Sequence, residues 1–280
     1  MSDPLCNYRL GPQWLDLGTL SLTCNRPSIP LILTKITAPV HGSAAAVVAK
    51  APALKIDVID RGKTGYTGEK ITREDYEAAG DDIGCEAEVL MAIGEKESGK
   101  LRDLGLGAFD KQHRPTILYE RHYFSKATLG KYDKDHHDIS APKGYRLGAT
   151  PKRRGVAYDD GEHYGLFSWQ YLKLARAYAL NRDAALRSCS WGKFQIMGDS
   201  YAACGYASAD AFVLGMCRSE KEHLAALVGF CKANIADALK KKDWQAIAFG
   251  YNGNNYKANN YDTDLMINYA RFKAAAAGAK

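Results

Sequence analysis

The chain has 280 residues, of which 46% are hydrophobic and 25% are charged, and this composition predicts a globular protein of one large or two small domains. The formal net charge of +6 favours an anionic polymer or an envelope surface as partner, but the basic residues are dispersed and carry no nucleic-acid-binding signature. No apolar run approaches the ~18 residues of a membrane span, and the first ten residues lack a signal-peptide pattern. We therefore expect neither a membrane-spanning helix nor a secretory leader.

The seven cysteines are an odd number and include no Cys-x-x-Cys pair. This usage argues against a disulfide framework and against a zinc site, and it predicts free thiols in a protein made in a reducing cytoplasm. The cluster 135–138, Asp-His-His-Asp, is dense in metal-ligand residue types, but adjacent histidines point apart on most backbones. We expect no metal and no cofactor.

Residues 1–69 differ in character from the rest of the chain. An Ala-rich piece, 42–53, is either a linker or a short helix, and the Gly-rich piece Arg61 to Gly68 is the expected domain boundary. This region is either a small accessory domain or an arm packed on the main domain. Short β-prone segments broken by Gly and Pro lie at 15–23, 32–36 and 54–59.

From residue 70 the pattern is mainly helical, which predicts a mainly α fold. Thr72 is placed to cap the first helix, and Ser219 with Glu222 three residues later forms a capping-box pattern. The helices are expected over 75–81, 85–97, 169–180, 183–190, 210–218, 219–234, 244–251 and 264–277.

The second of these helices ends on a candidate catalytic group. Ile83, Leu90 and Ile93 form an apolar stripe that continues onto Glu97, whereas Glu95 falls on the face of Glu88 and is expected to be solvated. If Gly99 stops the helix, Glu97 lies in the last turn, where the helix dipole and partial burial both favour its protonated form. Such a carboxyl suits a general acid. On these residues alone, a surface charge at a frayed helix end is the open alternative.

Three segments in order carry a resemblance: Glu97-Ser98, then Gly192 to Ile196, then Phe249 to Gly253. The order Glu-Ser, Gly-x-x-Gln-Ile and Tyr-Asn resembles the lysozyme-like superfamily of goose-type lysozymes and lytic transglycosylases. Further runs extend the resemblance to the N-acetylmuramidase family of modular phage endolysins, over roughly 70–273. These runs are Ile71 to Tyr76, Pro115 to His122, Asp183 to Leu186, Trp191 to Met197, Cys204-Gly205 and Asn260 to Asp262.

The resemblance implies a lysozyme-like helical domain over 70–280 that cleaves the β-1,4 bond between N-acetylmuramic acid and N-acetylglucosamine in peptidoglycan. Glu97 would then protonate the glycosidic oxygen. Amide, hydroxyl and phenol groups would hold the sugar substituents. The expected substrate-binding residues are Ser98, Gly192, Gln195, Tyr251, Asn252 and Tyr256. Structural roles for them, in turns and in the core, are the alternative.

A second carboxylate is harder to assign from the sequence. Glu120 is the leading candidate, although its neighbour Arg121 makes a structural ion pair an equal alternative. Asp110, Asp199 and Asp262 are the further candidates. Related transglycosylases are thought to work with a single glutamate, so hydrolysis and 1,6-anhydro closure both stay open.

The segment Tyr164 to Gln170 also resembles Gly-x-x-Gln-Ile and lies nearer to Glu97, but it lacks the Gln-Ile pair. The choice of Gln195 implies a large insertion after Glu97 that covers or flanks the cleft. His122 and His163 are further candidates for substrate contact, with core or surface roles the alternative.

The expected partner is the peptidoglycan glycan strand, bound by a monomer that reaches the periplasm through a holin or a secretion system. A type VI-like secreted antibacterial muramidase effector, with or without an immunity protein, is the alternative biological setting. A non-enzymatic wall-binding protein is the alternative from another class.

Overall fold

The computed structural model describes residues 55–103, 107–144 and 167–278, together with two short strands, β1 (Arg9–Leu10) and β2 (Gln13–Trp14), which pair antiparallel. Within these residues the fold is mainly helical, as predicted. The helices are α1 (Asp57–Lys63), α2 (Arg73–Ile83), α3 (Ala87–Asp103), α4 (Arg121–Ala127), α5 (Phe167–Leu180), α6 (Arg182–Arg187), α7 (Ala209–Met216), α8 (Glu220–Asn234), α9 (Ala236–Lys241), α10 (Trp244–Asn252) and α11 (Tyr261–Gly278). Three 3₁₀ turns lie at Gly198–Ser200, Gly253–Asn255 and Lys257–Asn259.

Helix α3 is the central element, and it packs against α2 and α11. Leu90 and Ile93 of the predicted apolar stripe have no exposed surface, as the periodicity predicts. Ile83 is also buried, but it belongs to α2, which ends before the turn at Gly84, so it does not share a helix face with them. The predicted helix end is wrong, because α3 continues past Gly99 to Asp103. Glu97 therefore lies six residues before the end of the helix and outside the last turn.

The predicted N-caps at Thr72 and Ser219 are confirmed in the local geometry, but the capping box predicted at Ser219 is wrong, because the Glu222 carboxylate accepts from Tyr206 and Arg218 and not from the Ser219 N–H. The Thr72 side chain accepts a hydrogen bond from the Asp75 N–H, and the Asp75 carboxylate accepts one from the Thr72 N–H, so that α2 begins with a full capping box. The Ser219 hydroxyl accepts a hydrogen bond from the Glu222 N–H at the start of α8. These caps satisfy N–H groups that the first helical turn leaves without partners.

A small antiparallel sheet lies beside the helices in the order β3-β4-β5, with β3 at Ile117–Tyr119, β4 at Cys189–Trp191 and β5 at Ile196–Met197. Trp191 pairs with both Ile117 and Ile196, and its side chain is buried. The helix predicted over 183–190 is therefore too long, because α6 ends at Arg187 and the chain turns into β4.

The segment 54–59 is predicted as β-prone, and this prediction is wrong because α1 begins at Asp57. Val58 and Ile59 are buried in the same hydrophobic core as the main domain, and Gly62 packs against Cys217 so closely that an added Cβ would lie 2.4 Å from the Cys217 Cβ. The packed unit thus begins by Ile56. The predicted segments at 15–23, 32–36 and 42–53 lie outside the described residues.

Candidate active site

Two cavities share the side chain of Glu97. The large cavity, of about 910 Å³, extends from Glu97 toward the sheet, and the small cavity, of about 410 Å³, extends toward the start of α11. Asn252 and Asn259 also line both cavities. The large cavity is lined by the start of α4 and its neighbours (Leu118, Glu120, His122, Tyr123), the β4–β5 region (Ser190, Gln195, Ile196, Met197, Asp199, Ser200), Phe230, and the end of α10 (Phe249, Gly250, Tyr251, Asn252, Gly253).

The Glu97 carboxyl is partly buried, and burial raises its pKa from 4.5 to about 7. Two groups oppose that rise. The Tyr261 hydroxyl donates a hydrogen bond to Oε1, and the Lys96 ammonium favours the charged form. Because Glu97 lies outside the last turn of α3, burial rather than the helix dipole explains the raised pKa. The protonated carboxyl is therefore well populated near neutral pH.

The neighbouring carboxylates of α3 are not solvated, which corrects the expectation for that face. Glu95 forms an ion pair with Arg271 of α11 at 3.0 Å, and Glu88 is buried against Arg73 at 2.6 Å. The face of Glu95 and Glu88 is thus covered by α11 and α2. Of the three glutamates, Glu97 is the one that lines the cavities.

The β4–β5 turn places Gln195 in the wall of the large cavity. Gly192 has φ of +68°, and an added Cβ would lie 2.6 Å from the His223 ring, so the turn requires glycine there. The Gln195 Nε2 donates to the main-chain carbonyls of Gly192 at 2.8 Å and of Thr116 at 3.3 Å, and its Oε1 accepts from the Ser190 hydroxyl at 2.8 Å. Gln195 is therefore held rigidly, with its carbonyl oxygen able to accept one further hydrogen bond.

Tyr251 and Asn252 lie at the end of α10, as part of the large-cavity wall. The Tyr251 hydroxyl donates to the Phe194 carbonyl at 2.6 Å, and burial holds the pKa of this phenol well above its ordinary value. Its ring stacks against that of Tyr261 with a centroid separation of 6.0 Å. The Tyr251 phenol thus joins α10 to the β4–β5 turn.

Three of the predicted substrate-binding residues line neither cavity: Ser98, Gly192 and Tyr256. Ser98 is buried and its hydroxyl donates to the Gly94 carbonyl at 2.8 Å within α3. Gly192 shapes the turn that carries Gln195. The structure therefore places Glu97, Gln195, Tyr251 and Asn252 in the lining of the cavities. Ser98, Gly192 and Tyr256 are not part of that lining.

Among the candidate second carboxylates, Glu120 and Asp199 line the large cavity with Glu97. Glu120 lies at the start of α4, and its Oε2 is 3.5 Å from Nδ1 of His122, whose pKa is lowered by burial. Arg121 donates to the main-chain carbonyls of His137, Lys143 and Gly144, so it is used at least in part to hold that loop.

The other acidic candidates are engaged in salt bridges or local contacts. Asp199 forms a salt bridge with Arg187 at 2.6 Å at the cavity wall. Asp110 pairs with Arg114 at 2.7 Å, and Asp262 accepts a hydrogen bond from the Thr263 N–H. Neither Asp110 nor Asp262 lines a cavity that contains Glu97.

The alternative glutamine and the histidine cluster both have structural contacts. Gln170 is fully buried and its Oε1 accepts from the Tyr119 N–H at 3.0 Å, which supports the choice of Gln195. Asp138 forms a buried salt bridge with Arg176. Of the two candidate histidines, His122 lines the large cavity, and His163 lies outside the described residues.

The insertion between Glu97 and Gln195 flanks the cleft, as expected. It supplies β3, which pairs with β4, and α4, whose first residues form one side of the large cavity. Residues 145–166 of the insertion lie outside the described residues.

Tyr261 and Lys96 lie beside Glu97 without a role predicted from the sequence. Tyr261 is the donor to Glu97, and Lys96 forms a salt bridge with Asp264 and donates to the Asn259 carbonyl at 3.0 Å. Tyr261 belongs to a run that resembles the family, Asn260 to Asp262, and that match was the available signal. A contact across 164 residues cannot be derived from helix periodicity.

Comparison with known proteins supports the resemblance. A family model described as N-acetylmuramidase matches residues 86–273. Among solved structures, the chain is similar to the crystal structure of the Burkholderia AP3 phage endolysin, with 27% identity, a TM-score of 0.60, and coverage of 96% of this chain and 98% of that one. No curated protein matches. Within the described residues, no helix combines the length and apolar character needed to cross a membrane. From the match over most of its length, the chain belongs to the N-acetylmuramidase family and is a glycoside hydrolase that cleaves peptidoglycan.

Proposed function

We propose that Glu97 is the general acid of this muramidase, and that it protonates the oxygen of the β-1,4 bond between N-acetylmuramic acid and N-acetylglucosamine. One observation carries this proposal: a carboxyl with a pKa of about 7 faces two cavities at once. A glycosidic bond seated at Glu97 would have one sugar in each cavity. Proton donation to the leaving oxygen then lets the adjacent sugar develop oxocarbenium character.

The water that completes hydrolysis needs a base. Glu120 is our candidate for this role, because its carboxylate lines the large cavity together with Glu97, next to His122. Asp199 is a weaker candidate since its carboxylate is held by Arg187. In this scheme the proton that Glu97 loses to the leaving sugar is replaced from solvent, and Glu120 takes the proton of the attacking water.

The substrate contacts follow from the free hydrogen-bonding capacity of each group. The Gln195 amide hydrogens are both used by main-chain carbonyls, so its Oε1 is left to accept from a sugar hydroxyl or an acetamido N–H. Asn252 borders both cavities and is placed to contact sugars on either side of the cleaved bond. Tyr251 contributes its ring as a wall, because its hydroxyl is bound to Phe194.

The test compares Glu97→Gln with Glu95→Gln, two isosteric changes on the same helix. Both variants and the wild-type protein are incubated with purified sacculi, and the released fragments are quantified by mass spectrometry with their reducing ends. We expect Glu97→Gln to lose about a thousandfold or more in rate, and Glu95→Gln, which removes an ion pair with Arg271, to keep most of the activity. Wild-type rates in the Glu97→Gln protein would refute the assignment.

We further propose that residues 1–69 form an accessory region ahead of the muramidase domain, with α1 packed on that domain. Deleting residues 1–54 leaves α1 in place. If the region anchors the enzyme to the wall, this deletion in the Glu97→Gln background weakens cosedimentation with sacculi, whereas unchanged cosedimentation favours a role in delivery.

The cysteine chemistry suits folding in a reducing cytoplasm, followed by release through a holin or a secretion system. All five described cysteines, Cys85, Cys189, Cys204, Cys217 and Cys231, are free thiols, and burial raises their pKa values. We propose that the enzyme acts as a monomer, which light scattering in solution tests, and a pull-down from host lysate would reveal an immunity protein if one exists.

A further inference from the structure

Three aromatic side chains form one wall of the large cavity: Phe230 from α8, and Phe249 and Tyr251 from α10. Phe230 and Tyr251 contact each other edge to face at 5.4 Å, and both pack against the hydrophobic core. Phe249 is different, because it has no place in the core and 54% of its surface is exposed. It is one of four large hydrophobic residues that are exposed in the described part of the protein, together with Leu129, Met266 and Ile267.

The backbone beneath Phe249 is held in place. The next residue, Gly250, approaches Ile235 so closely that an added Cβ would lie 2.3 Å from the Ile235 Cγ2. The Tyr251 hydroxyl then fixes the following turn of α10 to Phe194. The backbone of Phe249 is therefore held by the two residues that follow it, although its own ring contributes little to the core.

An exposed phenyl ring in the wall of an open cavity has an unfavourable hydration cost that ligand binding can remove. The faces of pyranose rings carry C–H groups that pack well on the negative face of an aromatic ring, and sugar hydroxyls point outward from that contact. The same cavity also carries amides, from Gln195 and Asn252, and carboxylates, from Glu120 and Asp199, which suit the hydroxyls.

We propose that Phe249 is a substrate-binding residue whose ring stacks on the face of a sugar of the glycan strand, on the large-cavity side of Glu97. This inference rests on the proposed function, because the cleaved bond is placed at Glu97. In this role the Phe249 ring binds the sugar equally in the ground state and in the transition state. Removing the ring therefore weakens binding in both states by the same amount.

The experiment measures Phe249→Ala, Phe249→Tyr and the control Ile267→Ala. Ile267 lies on α11, is 57% exposed and lines neither cavity, so it controls for loss of an exposed apolar side chain. Turnover is measured with a soluble tetrasaccharide of alternating N-acetylglucosamine and N-acetylmuramic acid. We expect Phe249→Ala to raise KM about tenfold with kcat changed less than about twofold, Phe249→Tyr to restore KM, and Ile267→Ala to match wild type.

The same substitutions in the Glu97→Gln background give the dissociation constant of the tetrasaccharide by calorimetry. A tenfold weaker Kd for Phe249→Ala there supports stacking, independently of catalysis. An unchanged KM and Kd for Phe249→Ala, or a Tyr variant as weak as the Ala variant, would overturn the inference. If Glu97→Gln still cleaves the substrate, the proposed function fails, and the KM of the Phe249 variants still decides the stacking role.

Discussion

Replacing Glu97 by glutamine removes a carboxyl that the folded protein holds with a raised pKa. In the unfolded chain this carboxyl ionises near 4.5, whereas in the folded chain it ionises near 7. Between these two values the folded state binds more protons than the unfolded state, so the stability of the wild-type protein falls as the pH rises through that window. Over the whole window the wild-type protein loses about 3 kcal/mol of stability, because a shift of one pKa unit corresponds to about 1.4 kcal/mol.

Glutamine cannot ionise, and its Oε1 can still accept the hydrogen bond from Tyr261. We therefore expect Glu97→Gln to have nearly wild-type stability at pH 4 and to be more stable by about 3 kcal/mol at pH 8. Urea unfolding followed by circular dichroism, at several pH values between 4 and 8, gives both free-energy curves.

The test is the difference in unfolding free energy between the two proteins at each pH, because the other titrating groups contribute equally to both curves. Curves that run parallel from pH 4 to pH 8 would show that Glu97 is not desolvated in the folded state, and the reasoning from burial would be refuted. Glu95→Gln provides the control for loss of a carboxylate from α3. A more stable but inactive Glu97→Gln protein would show that stability is lost in order to keep a proton donor in the cleft.

Three further variants test the surroundings of Glu97. Tyr261→Phe removes the hydrogen bond that lowers the pKa of Glu97, so the alkaline limb of the pH–rate profile should move to higher pH, and an unmoved limb would contradict this role. Glu120→Gln should reduce kcat about a hundredfold or more without lowering the urea midpoint, and kcat within about twofold of wild type would exclude Glu120 as the base. Gly192→Ala should cost about 2 kcal/mol or more in urea unfolding, because its φ is +68° and its Cβ would meet the His223 ring, and an unchanged midpoint would mean that the turn relaxes freely.

The helical pattern and the inward direction of Glu97 could be predicted from local periodicity, whereas the catalytic role of Glu97 was predicted from the family resemblance. Leu90 and Ile93 place Glu97 on the inward face of α3 because residues three, four and seven apart share a helix face, whereas Ile83 belongs to α2. Helix ends were less predictable. Gly99 was predicted to stop the helix, but a glycine inside a helix is only mildly unfavourable, and α3 continues to Asp103.

Contacts between distant parts of the chain account for the other errors. Glu88 was assigned to a solvated face, but Arg73 of α2 covers it, and that pairing depends on how two helices pack. Segment 54–59 has β-branched residues typical of a strand, and burial of Val58 and Ile59 against α7 selects a helix instead. The hydrogen bond from Tyr261 likewise depends on the docking of α11, which no local pattern encodes.

The docking of α11 also determines when the enzyme becomes competent during synthesis. Tyr261 supplies the donor to Glu97, and further contacts to α3, from Asp264 to Lys96 and from Arg271 to Glu95, come from the same helix. A nascent chain still lacking these residues has α3 and its carboxyl but not the helix that closes the small cavity beside it. The cleft therefore depends on a helix that begins 164 positions after Glu97, and a chain interrupted before α11 would hold the carboxyl without its hydrogen-bond donor.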